Sequence, residues 1–176
     1  YYYFPGLDLY ATDFYDLHKT QHKVLDLKAG KASTRMISSR AKELKGIFDD
    51  IIPHKKAVVV PLPCHTVGKI SSLEPVVKKI EEQSSNKYIN GTNFIFSREE
   101  TDKGSIVNGR ERFSPDIHAD SMGVNTHSEN LKLLNRYPVI LLDDVYATGE
   151  TMRGAEILLK NFTKSKIFKV AILKAG

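Results

Sequence analysis

Thirteen consecutive residues, Val139-Ile140-Leu141-Leu142-Asp143-Asp144-Val145-Tyr146-Ala147-Thr148-Gly149-Glu150-Thr151, combine residue types from which a ligand site can be built. The four apolar residues predict a buried strand, and two acids stand at its carboxyl end. A tight turn of small residues follows, in which Gly149 is free to take a backbone angle that other residues avoid. A helix is predicted to begin directly after the turn. Backbone N–H groups of the turn and of the helix N-terminus then converge on one point, and the helix dipole adds positive character there. That arrangement binds anions, and the hydroxyls of Thr148 and Thr151 supply further donors. Asp143 and Asp144 would repel an anion, so they face something else. Vicinal sugar hydroxyls, with a hydrated Mg²⁺ nearby, are the partners that suit a carboxylate pair. Each part alone also occurs in an ordinary strand, turn and capped helix; the argument rests on all of them standing in order.

The segment resembles the signature of type I phosphoribosyltransferases: an apolar strand, two acids, two more residues, then small-Thr-Gly-x-Thr. The family usually has an aliphatic residue where this chain has Tyr146, and often Thr where it has Ala147. Competence protein F-like members are more similar, because they too tend to carry Tyr at that place. The resemblance implies an α/β fold with a parallel twisted sheet flanked by helices and a small N-terminal hood. It implies that Asp143 and Asp144 hold the ribose hydroxyls of phosphoribosyl pyrophosphate, with Mg²⁺ reached through water. It also implies that Ala147, Thr148, Gly149, Glu150 and Thr151 wrap the 5-phosphate. The implied reaction displaces pyrophosphate at the anomeric carbon with a nitrogenous base. Such chemistry depends on positioning and charge stabilisation, with Asp144 among the residues at the reacting centre, and needs no protein nucleophile.

Two weaker sites accompany it. Val58-Val59-Val60-Pro61-Leu62-Pro63-Cys64-His65-Thr66-Val67-Gly68-Lys69 is a second strand-to-turn junction. In the resembled family the loop after the first core strand cradles pyrophosphate, which makes Cys64, His65 and Thr66 candidates for that contact. An ordinary turn before a helix explains the stretch equally well, since its prolines supply no N–H. The stretch Ser97 to Asn125 carries Arg98, Lys103, Arg110 and Arg112 without clear periodicity, and loops of that length usually have a purpose. By resemblance it is the mobile loop that brings cations to the departing pyrophosphate, with Lys103 and Arg112 the leading catalytic candidates. Its plain alternative is a solvated surface loop. Cys64-His65, His118-Ala119-Asp120 and His127 lack the spacing of a zinc motif and read as polar surface residues. The cluster Tyr1, Tyr2, Tyr3 and Phe4 reads as packing or a partner interface rather than a base-stacking platform.

The elements that must position these residues follow from periodicity. Ser33 to Phe48 predicts a helix, as does a stretch from a cap at Ser71 or Ser72 to about Glu82. Thr151 to Phe162 predicts another, and Leu131 to Arg136 the end of one. Ala57 to Val60, Asn93 to Phe96, Val139 to Leu142 and Lys169 to Leu173 predict strands. Leu7 to Leu27 reads as a helix or a loop arm. Alternating strand and helix argues for a parallel sheet, whose ligands bind beyond the carboxyl ends of its strands. The chain is expected to form one domain, with residues 1–50 as arm and hood and residues 51–176 as core.

Composition sets the outer limits. The 176 residues are 41% hydrophobic and 27% charged, with a formal net charge of +5 and a single cysteine. One cysteine excludes an internal disulfide framework and suits a cytoplasmic setting. No apolar run reaches the roughly 20 residues that span a bilayer. The positive charge suits nucleic acid, nucleotides or pyrophosphate alike. Beside a transferase with an unidentified base, the sequence therefore also admits a non-catalytic phosphoribosyl pyrophosphate sensor or a competence-type protein acting with nucleic acid. A homodimer is compatible with either.

Overall fold

The computed structural model describes residues 1–14, 20–64, 66–98 and 115–175. Two unbroken apolar runs lie at its centre. Ala57–Pro61 (β3) and the first four residues of Val139–Tyr146 (β7) are buried throughout, as expected of parallel strands covered on both faces. They pair in parallel, Val58 with Val139 through Pro61 with Leu142. Ile167–Lys174 (β8) lies parallel along the other side of β7. Leu9–Phe14 (β2) then lies parallel beside β8, and Tyr2–Phe4 (β1) closes that edge antiparallel to β2. Tyr88–Asn90 (β4) forms the opposite edge, parallel to β3. The order is β1-β2-β8-β7-β3-β4.

Helices cover both faces, and amphipathic spacing explains which. Thr34–Ile51 (α2) is capped by the Ser33 side chain, which accepts from the Met36 amide at 3.2 Å, and it buries Ala41, Leu44, Ile47 and Phe48. With Glu74–Gln83 (α3) and His22–Lys28 (α1), it packs a core around Ala57, Val59, Ile140, Leu142 and Ile172. On the other face, Ser128–Arg136 (α5) and Glu150–Lys160 (α6) pack around Val58, Val60, Val139, Leu141 and Ala171. The short helix Pro115–Asp120 (α4) lies against α6. Lys87 and Tyr88 tie the β4 edge to α2: the Tyr88 hydroxyl and the Lys87 ammonium each donate to Asp49 Oδ1 at 2.7 Å. Immediately after β4 the chain passes so close to β3 that a β-carbon on Gly91 would stand 2.8 Å from the Val59 carbonyl oxygen.

Several elements differ from the sequence reading. The strand placed at Asn93 to Phe96 is Ile95–Ser97 (β5), and it lies outside the main sheet, antiparallel to Met122–Val124 (β6). On the side of β3 away from β7 the neighbouring strand is β4, three residues without a long apolar signal. β7 does not stop at Leu142 but runs through the acids to Tyr146, because β8 pairs with it as far as Lys174. Residues 9–14, read within a helix or loop arm, form a strand whose polar Thr12 and Asp13 mask the pattern. The segment expected to be arm and hood thus supplies two strands and α2 to the layers of the sheet itself. Leu73, not a serine, precedes α3, although Ser71 Oγ accepts from the Leu73 amide at 3.3 Å. The second half of the stretch from Ser97 to Asn125 holds α4 and β6. The aromatic cluster packs: Tyr3 stacks on Tyr10 at 4.6 Å, and Tyr2 meets Phe14 at 4.8 Å. Cys64 and His118, read as polar surface residues, are half-buried.

Candidate functional site

From β3 the chain reaches β4 on one side and, later, β7 on the other. Neighbouring strands whose connections leave in opposite directions open a crevice beyond their carboxyl ends. At this crevice the Leu62 amide donates to the Leu142 carbonyl at 2.8 Å, so the loop after β3 starts beside Asp143 and Asp144. Cys64 is fixed from the far side, its carbonyl accepting from Ser97 Oγ at 2.5 Å. Cys64 and Thr66 are half-buried, and Gly68 and Lys69 are exposed. A cavity of about 20 Å³ lies beside this loop, lined by Pro61, Pro63, Ser71 and Asn93 among others; that is room for a water molecule, not for a base.

The two acids differ in environment. The β7–β8 ladder skips Asp144, and the Asp144 amide instead donates to Asp143 Oδ1 at 2.8 Å. The neighbouring β8 residue is irregular too, with Thr12 Oγ1 donating to the Ile172 carbonyl at 2.5 Å. Burial, and then the charge of Asp144, push the Asp143 carboxyl well above the usual carboxylate range, against the opposing pull of the Asp144 amide and Lys28. Asp144 has an ion-pair partner that sequence reasoning missed: Lys28 Nζ, on α1, lies 3.1 Å from its Oδ2.

Beyond the acids, Ala147 and Thr148 are exposed, and Gly149 takes φ 80°, in the left-handed region that favours glycine. Gly149 is the N-cap of α6 and has no side chain with which to satisfy the first-turn amides. Those donors are therefore left for a ligand or water. The ring of Tyr146 lies against Gly149, on the core side of the turn. Glu150 and Thr151, both half-buried, open the helix.

The structure thus gathers Asp143, Asp144 and Ala147 to Thr151 at one strand end, with Cys64 and Thr66 on the neighbouring loop. Arg98 lies elsewhere, exposed on the two-stranded sheet with its Nε over Gly123. His65, Lys103, Arg110 and Arg112 lie outside the described residues. Lys28 gave no sequence signal; its place in the last turn of α1 emerges only from the structure.

An α/β protein with a parallel sheet and a crevice of this kind belongs to a class that binds ligands at strand ends. No family model matches the chain, and no curated protein matches it in sequence. Among solved structures, it is similar to a hypoxanthine phosphoribosyltransferase from Staphylococcus aureus in an orthorhombic crystal, with a TM-score of 0.43 and 15% identity over 78% of this chain and 62% of that one. It is also similar to a tetragonal crystal structure described in the same words, with a TM-score of 0.47 and 17% identity over 90% of this chain and 73% of that one. The chain therefore spans less than two thirds of the length of the first.

Proposed function

We propose that this chain is a phosphoribosyltransferase of the type I fold, which binds phosphoribosyl pyrophosphate with Mg²⁺ and transfers its ribose 5-phosphate group to a nitrogenous base, releasing pyrophosphate. One observation carries the reading: a carboxylate pair and a turn with uncapped amides stand on the same strand end, at the point of the sheet where ligands bind. The turn from Ala147 to Thr151 receives the 5-phosphate, since backbone N–H groups and the α6 dipole favour an anion. Asp143 and Asp144 accept hydrogen bonds from the ribose hydroxyls. The likeness to competence protein F-like members rests on Tyr146.

The residues present fit Mg²⁺ in one manner. Among the described residues no group of three or more His, Cys, Asp or Glu side chains gathers to enclose a metal ion. Two carboxylates at a strand end suit a cation that keeps its waters and takes phosphate oxygens from the substrate. When bound, Mg²⁺ offsets the charge that develops on departing pyrophosphate. Cys64, His65 and Thr66 are assigned to the pyrophosphate, and the cations Lys103, Arg110 and Arg112 to the negative charge that its departure builds. No helix among the described residues is long and apolar enough to cross a membrane.

The test is incubation with phosphoribosyl pyrophosphate, Mg²⁺ and a panel of bases, with detection of pyrophosphate, alongside calorimetry of the same ligand. Release with one base establishes the transferase. Binding without release from any base identifies a sensor, and absence of binding overturns the reading altogether.

A further inference from the structure

We propose, resting on the reading above, that Lys28 is a further substrate-binding residue, which lets a carboxylate pair sit beside a polyanionic sugar phosphate. The contact is built by the fold rather than formed by a stray side chain. Val24 and Leu27 of α1 are 2% and 4% exposed and pack in the core with Ile140, Leu142 and Ile172. Lys28 follows Val24 by one helical turn and therefore lies on the same, sheet-facing stripe. Just beyond it the helix is closed by two backbone bonds, from Gly30 to the Leu27 carbonyl at 3.1 Å and from Lys31 to the Asp26 carbonyl at 2.8 Å. The ammonium is thereby delivered to Asp144 at 3.1 Å.

The exposures of the two partners show what the pair is for. The Asp144 side chain is 16% exposed while that of Lys28 is 50% exposed. The acid is covered, and half of the cation's side chain stays open to solvent. A half-exposed pair contributes little to folding. Its effect on a ligand is larger. An uncompensated Asp144 carboxylate would repel the phosphate groups of a phosphoribosyl compound, whereas Lys28 offsets its charge and leaves donors free for an anionic oxygen. The acids can then read the sugar hydroxyls without expelling the charged ends of the same molecule.

The experiment is calorimetric titration of the whole chain with phosphoribosyl pyrophosphate and Mg²⁺, using wild type, Lys28→Met and Lys28→Arg, with melting temperatures in parallel. Lys28→Met is expected to weaken binding about tenfold and to lessen its salt dependence, with little change in melting temperature. Lys28→Arg is expected to stay within about threefold of wild type, because the charge is kept. Equal affinity in wild type and Lys28→Met overturns the inference while leaving the phosphoribosyl reading intact. Tighter binding by Lys28→Met also overturns it, and marks the pair as a latch that ligand must open. If wild type itself fails to bind, the underlying reading falls and the role of Lys28 falls with it.

Discussion

The ring of Tyr146 lies so close to the α-carbon of Gly149 that a β-carbon there would collide with the phenol oxygen and the ring carbons. The aromatic ring is 3% exposed and belongs to the same core as Met152, Ala155 and Leu159 of α6. Tyr146 therefore forms the floor of the turn, and its size restricts what can stand three residues later.

Gly149→Ala should be poorly tolerated for two reasons that can be separated. The left-handed backbone, with φ 80°, costs a non-glycine residue about 1–2 kcal/mol. The collision with Tyr146 adds to it. In a Tyr146→Leu background only the backbone cost remains, so a double-mutant cycle read by urea denaturation should show coupling of at least about 0.5 kcal/mol. Strict additivity would refute the contact.

The acid pair predicts a pH effect in the ligand-free protein. The Asp143 carboxyl is raised by burial and by Asp144. A group whose folded-state pKa lies above its unfolded value disfavours the folded state once it ionises. Stability is therefore greatest at or below the ordinary carboxylate range and declines as pH rises above it. Asp143→Asn keeps an oxygen to accept from the Asp144 amide and removes the charge. Its melting temperature should equal or exceed that of wild type at neutral pH, with a flatter pH profile. Asp143→Asn combined with Asp144→Asn should abolish phosphoribosyl pyrophosphate binding while the fold survives; unchanged affinity by calorimetry would sink the ribose assignment.

Asp49 predicts the opposite slope at low pH. Burial alone would raise it, but donors from Lys45, Lys87 and Tyr88 outweigh that and hold it at about 2. Its contribution is present above the usual carboxylate range and is lost as pH falls toward that value. Asp49→Asn should therefore reduce stability at pH 7 and narrow the gap between pH 7 and pH 3. Tyr88→Phe, which removes one donor, should cost about 1.5 kcal/mol in urea.

Ser97 links the loop after β3 to the two-stranded sheet through the Cys64 carbonyl. Ser97→Ala should weaken phosphoribosyl pyrophosphate binding by a few-fold while costing about 1 kcal/mol or less of stability. A loss of stability with unchanged affinity would show that the loop does not serve the ligand.

The parts of the fold legible in the sequence were those with long, uniform patterns. β3 and the first half of β7 are continuous apolar runs, and α2 carries both a serine cap and a clean stripe. β4 was hidden because three residues give no periodicity, and β2 because Thr12 and Asp13 interrupt its apolar residues. The end of β7 was misplaced because the apolar run stops at Leu142, leaving Asp143 and Asp144 as the boundary of the strand, whereas pairing with β8 carries them within it. At the site, the acids and the turn were visible as one contiguous motif. Lys28 was not, because its contact with Asp144 exists only after α1 has packed on the sheet.

Among the described residues β8 is the last strand in sequence, yet it lies between β2 and β7. Its backbone accepts the Thr12 hydroxyl across a separation of 160 residues. During synthesis, β1 and β2 must therefore wait without their place in the sheet, and β7 presents a bare apolar edge until β8 arrives. An unpaired edge of that kind invites association with other chains. The strand that bears the acids is thus open to such association until β8 pairs with it.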